Sequence, residues 1–203
     1  MVFELIGGKP ALDFLNTMSG FRGTRPRELL QGYEDLVGWA KESGMVDARQ
    51  AAELLREASL HPRKAQAALE EAIAVREALH DVLFAAVRGQ AVPQKPLETV
   101  NRWIGAALGR WQLQPKTSGG FSLEFEEDGD FLSFLRPVAA SAADVLGQGL
   151  PTGRVRICDL SHDEECGWFF YDTTRNRSRR WCSMGDCGNN AKQRRHTRRR
   201  KSV

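Results

Sequence analysis

Apolar residues recur along most of this chain at three- and four-residue spacing, the period of helices that bury one face. Tyr33, Leu36, Val37 and Ala40 form one such stripe, which Gly44 closes. Asp47 stands where a helix N-cap belongs, ahead of a second stripe through Ala51, Leu54 and Leu55 to about Ser59. His61-Pro62 then breaks the pattern. The spacing predicts the longest helix from about Arg63 to Val87, with Leu69, Ile73, Leu79, Leu83 and Val87 on its apolar side and Gly89 at its end. Arg76 and His80 lie at the edge of that stripe, where a long polar side chain snorkels or finds a partner. A further helix is predicted over 96–111, with Val100, Trp103, Ile104, Ala107 and Trp111 on one face and both tryptophans in the core. Leu132 to Leu146 returns to helical spacing.

Elsewhere the period is two. Phe3-Glu-Leu-Ile6 reads as a short strand, closed by Gly7-Gly8 and Pro10. Phe121, Leu123 and Phe125 alternate with polar residues behind Gly119-Gly120, which predicts a half-buried strand. Between Ala11 and Thr17, Asp13 and Asn16 interrupt an apolar segment and need hydrogen-bond partners if buried. Local turn or cap bonds would supply them, and so would a ligand. Residues 19–27 read as a flexible basic loop. The first 150 residues carry no phosphate-binding loop, nucleophile elbow or His-Glu-x-x-His, and their two histidines, His61 and His80, lack an evident catalytic partner. Leu150-Pro-Thr-Gly153 is the candidate linker between a domain at 1–150 and a module at 154–203.

Composition changes this picture mainly through charge. The net charge of +3 over 203 residues hides an uneven split. From Arg154 onward 13 Lys or Arg face 6 Asp or Glu, whereas the preceding part holds 16 basic and 20 acidic groups. That split suits a nucleic-acid-binding appendage on an ordinary soluble domain, and a solvated basic tail would show it too. There is no apolar run of membrane-spanning length and no signal-like N-terminus, so a cytoplasmic protein without a membrane partner is expected.

All four cysteines fall within 30 residues: Cys158, Cys166, Cys182 and Cys187, two pairs with 15 residues between them. Two short loops of two sulfurs each are what a tetrahedral thiolate site needs, so the expected cofactor is Zn²⁺. His162 is a competing ligand within the first loop, and a disulfide between Cys182 and Cys187 is the rival chemistry. With four protein sulfurs the site is closed, hence structural and not catalytic. Arg154 to Cys158 reads as a strand that delivers the first sulfur. Residues 167–172 and 178–182 read as the arms of a hairpin, and a helix is expected from about Gly188 to Arg200. Knuckle, hairpin and helix in that order make a treble clef.

From 175 to 201 eleven cations face one acid, Asp186. Arg175, Arg177, Arg179 and Arg180 lie at or just beyond the expected turn, and Lys192, Arg194 and Arg195 follow on the helix. Such a surface releases counterions from a phosphate backbone. Asn189 and Asn190 at the helix start could read adenine edges or cap the helix.

The run Trp168-Phe-Phe-Tyr-Asp-Thr-Thr-Arg-Asn-Arg-Ser-Arg-Arg-Trp-Cys-Ser-Met-Gly-Asp-Cys-Gly-Asn189 resembles the CGNR-type zinc finger, and Gly7-Gly-Lys-Pro-Ala-Leu-Asp-Phe-Leu-Asn-Thr17 resembles the opening of the ABATE domain that precedes it in bacterial proteins. The resemblance covers essentially the whole chain. It implies a helix-rich α+β domain with a small β component followed by a treble-clef finger, the four cysteines as zinc ligands, DNA as partner, and a role in stress-induced transcription regulation. Asn190 stands where the motif has Arg, and the first cysteine loop is long.

The expected function is therefore a non-enzymatic, zinc-dependent regulator that binds double-stranded DNA, its N-terminal domain sensing a small molecule or forming a homodimer. An RNA-binding or ribosome-associated module would use the same cations. A treble-clef nuclease would need a catalytic His, and 167–181 contains none. An enzyme would need a pocket, for which Asp13, Asn16 and Arg76 are the candidate ligand-binding groups.

Overall fold

A computed structural model describes residues 3–109, 111–125 and 130–201. Among the described residues there are seven α-helices: α1 (Pro10–Leu15), α2 (Tyr33–Glu42), α3 (Ala48–Leu60), α4 (Pro62–Val87), α5 (Gln94–Leu108), α6 (Arg136–Asp144) and α7 (Asn189–Lys201). Three antiparallel ladders of two strands each accompany them: β1 (Met18–Ser19) with β2 (Arg27–Glu28), β3 (Trp111–Pro115) with β4 (Phe121–Phe125), and β5 (Val155–Ile157) with β6 (Phe169–Tyr171).

The helix bounds follow from local chemistry. The Asp47 carboxylate accepts from Gln50 N at 2.8 Å and the Gln50 side chain returns the bond to Asp47 N at 2.9 Å, a capping box that opens α3. Pro62 opens α4, where its missing N–H costs nothing, and Gly89 at φ +66° ends it. At 26 residues α4 is the axis of the molecule, about 39 Å long. Its stripe shares one buried core with Leu12, Phe14 and Leu15 of α1, Leu36 and Trp39 of α2, Val100 of α5, Leu135, and Val138 of α6.

Four expectations are corrected. Residues 3–6 join no ladder among the described residues; Phe3 N is held by Glu42 Oε2 at 2.7 Å, and Gly7 O accepts from Tyr171 N at 2.7 Å. Trp111 begins β3, because α5 stops at Leu108. The β3–β4 hairpin stands off the core: Leu113 and Phe121 are 66% and 67% exposed, so the Phe121 strand is not half-buried at that position. The partner of β6 is β5, in the register Val155↔Tyr171, and not residues 178–182, which form no strand.

That last pairing sets the architecture. Val155 and Phe169 belong to the same buried cluster as the N-terminal helices, while Phe170, one residue on, packs with Cys158, Cys166 and Cys182. The outer edge of β6 is capped by the N-terminal segment: Asn16 Nδ2 donates to Phe169 O and Asn16 Oδ1 accepts from Phe169 N, each at 2.9 Å. Close approach at Gly167 completes the seam, since a Cβ there would lie 2.8 Å from Gly20 O.

Candidate metal centre and basic surface

Cys158 follows β5 directly, and its N–H donates to Trp168 O at 2.9 Å, which extends the ladder to the first sulfur. A short helical turn, Asp159–Asp163, then reverses the chain, and Glu164 in the left-handed region (φ 55°) turns it back toward Cys166. Cys182 ends an irregular segment. Cys187 lies in the wide helical turn Met184–Gly188, which Ser183 Oγ caps by accepting from Asp186 N at 3.2 Å.

The four sulfurs lie within 4.8 Å of one another, with Cys166–Cys182 at 3.6 Å and Cys182–Cys187 at 3.5 Å. A tetrahedron with Zn–S bonds of about 2.3 Å has edges of about 3.8 Å, so the spacing fits that ion. All four cysteines are free, which sets aside a Cys182–Cys187 disulfide, and His162 is not part of the cluster. Hydrogen bonds from Cys166, Cys182 and Cys187 pull the Cys158 thiol below its ordinary value, and bonding to Cys158 pushes Cys166 and Cys182 above theirs. Without a cation one thiolate forms at the expense of its neighbours. A divalent ion relieves that conflict and allows all four to ionise.

Asp172, fully buried, organises the turn beyond β6. Its carboxylate accepts from Thr174 N at 2.9 Å, Thr174 Oγ1 at 2.6 Å and Arg179 N at 2.9 Å. Burial alone would raise its pKa, but these bonds hold it below the usual carboxylate range.

The arginines expected on the nucleic-acid face divide into two sets. Arg179 turns inward: it donates to Ile6 O at 3.3 Å, Trp181 O at 3.0 Å and Cys182 O, and stacks 4.4 Å from the Phe170 ring. It is a staple between the cysteine loop and the N-terminal segment. Arg177 donates to Thr152 O at 2.5 Å, Arg180 to Asp159 Oδ2 at 2.6 Å, and Arg194 pairs with Glu165 and, at 3.9 Å, with Asp163. Asn189 Nδ2 bonds Gly185 O at 2.7 Å, a local tie at the helix start. Arg175, Asn190 and Lys192 are exposed, and among the described residues their side chains make no hydrogen bond or ion pair. Arg195 lies on α7, with its side chain outside the described residues.

The three candidate ligand groups of the N-terminal part are all engaged within the protein. Asp13 Oδ1 accepts from Gly7 N at 2.8 Å, Asn16 holds Phe169, and Arg76 donates to both oxygens of Glu28 and to Glu77 and Thr17. Arg76 is 0% exposed, so it is a core residue and not a snorkelling edge residue. His80, also buried, stacks on Phe84 with centroids 5.4 Å apart. Sequence reasoning missed Asp172 and Arg179 as organisers, because their partners come from segments with no sequence mark.

A family model described as "Putative stress-induced transcription regulator" (ABATE) matches residues 8–149, and one described as "CGNR zinc finger" matches residues 154–200. No curated protein matches the chain. The first match spans well over half of the chain, so the protein belongs to the ABATE family and carries a CGNR zinc finger. The cysteine cluster is its zinc site.

Proposed function

We propose that this ABATE-family protein is a zinc-dependent DNA-binding transcription regulator of the cytoplasm, without enzymatic activity, whose N-terminal helical part senses a small molecule. The observation that carries the reading is the anchoring of α7: its first turn grows directly out of the turn that supplies Cys187, so the metal fixes where a 13-residue helix rich in Lys and Arg begins. A helix of that width fits the major groove, and its cations, with exposed Arg175, would displace counterions from phosphates. The helix that follows the last ligand closes the cysteine module, as the final helix of a treble clef does. Among the described residues no helix is long and apolar enough to cross a membrane.

Fluorescence anisotropy with a labelled duplex, titrated against salt, tests the reading. Affinity should fall steeply and linearly on a log–log scale, and chelation of zinc should abolish it. Weak binding at low salt refutes it. Preferential competition by structured RNA would move the partner to RNA.

A further inference from the structure

We propose that a cleft between the α2–α3 corner and the start of α6 binds a small organic cation with an apolar body. The cleft encloses about 510 Å³, within the range of sites for small ligands. Its floor is apolar, built from Val46, Leu54, Phe131 and Phe134. Its rim is acidic: Glu53, Glu57, Glu124 and Asp130 face it, and Arg136, itself 6% exposed, is the one cation among the residues that line it.

The two parts call for two features in one ligand. An apolar body displaces water from the floor, and a positive charge complements a rim whose carboxylates would repel an anion. Phe131 supplies a ring for the same charge. That ring is fixed from behind, since Tyr33 Oη donates to Phe131 O at 2.6 Å and the two rings meet edge-on with centroids 5.4 Å apart. Glu53 pairs with Arg49 at 3.9 Å, and Glu57 with Arg56 at 2.6 Å and His61 at 3.9 Å, but none of these bases lines the cleft. The carboxylate side chains stay 60% and 41% exposed, and so can turn to a guest. Asp13, Asn16 and Arg76 take no part in this cleft.

As an account of sensing, this site rests on the regulator reading. As a binding site it does not, and the two can fail separately. Tetraphenylphosphonium and tetraphenylborate carry the same four rings and opposite charge, so titration calorimetry of the zinc-loaded full chain with each separates charge from hydrophobicity. The cation should bind saturably, one per chain and about tenfold or more tighter than the anion. The double variant E53Q/E57Q should lose about tenfold in cation affinity with an unchanged melting temperature, and E98Q on α5 should lose nothing. Equal affinity for the two ions, no saturable binding, or a cation affinity untouched by E53Q/E57Q overturns the site. A cation that binds as expected but leaves DNA affinity unchanged upholds the site and removes its sensing role.

Discussion

Asn16 and Phe169 are 153 residues apart in the chain, yet one carboxamide holds both backbone groups of the other residue at 2.9 Å, all of it buried. Asn16→Ala would leave a buried N–H and a buried C=O unpaired, at about 1–3 kcal/mol each. Urea unfolding should register a loss of about 2–6 kcal/mol. A loss below 1 kcal/mol would show that the clamp contributes little.

Metal content gives the second expectation. Freshly purified protein should hold about one zinc per chain, and Cys158→Ser or a strong chelator should release it. Trp168 and Trp181 pack beside the cysteines, so tryptophan emission should shift red as the metal leaves. Chelation without any spectral change would contradict a structural role.

Arg175 and Lys192 should behave differently from Arg179. Alanine at either exposed cation should leave the melting temperature unchanged and lower the salt slope of DNA binding by about one each. Arg179→Ala removes donors to Ile6, Trp181 and Cys182 and a cation stacked on Phe170. It should cost about 2–4 kcal/mol in stability, read by thermal unfolding, before any DNA is added.

Arg76→Ala tests the buried ion network. Glu28 would lose its guanidinium and Glu77 one of two, since Arg22 stays at 2.8 Å; with both carboxylates partly solvated the cost should be about 2–4 kcal/mol. Arg76→Lys cannot reproduce the two-pronged bond to Glu28 and should recover only part of that. Full recovery by Lys in urea titrations would argue against a geometric role.

Burial pushes the Asp13 carboxyl up to about 6, against the opposing pull of the Gly7 N–H. An ordinary unfolded Asp titrates near 3.9, so between roughly pH 4 and 6 the native state binds more protons than the unfolded one. Stability from this residue therefore falls as pH rises through that window. Asp13→Asn keeps an acceptor for Gly7 and removes the titration. The variant should gain on wild type in urea midpoint from pH 4.5 to pH 7; a constant difference would refute the assignment.

What could be read in advance was what local chemistry decides. Asp47 with Gln50, Pro62 and Gly89 mark helix ends within a few residues of themselves, so α2 to α4 were legible. The zinc cluster was legible because two short sulfur-bearing loops need only spacing. Arg76 and Asn16 were not, since their partners lie 48 and 153 residues away and carry no motif. Residues 178–182 looked like a strand because Trp181 and Cys182 are apolar. The carboxylate of Asp172 and the guanidinium of Arg179 claim that backbone instead, and leave β6 to pair with β5. Phe121 alternates as a core strand would, but among the described residues β3 and β4 pair only with each other.

Side chains alternate across a strand, and in β6 that alternation serves two clusters. Phe169 points into the helical core and Phe170 toward the sulfurs, with a single peptide unit between them. The helical core and the sulfur cluster are thus built on the two faces of one strand, and β6 belongs to the packing of both.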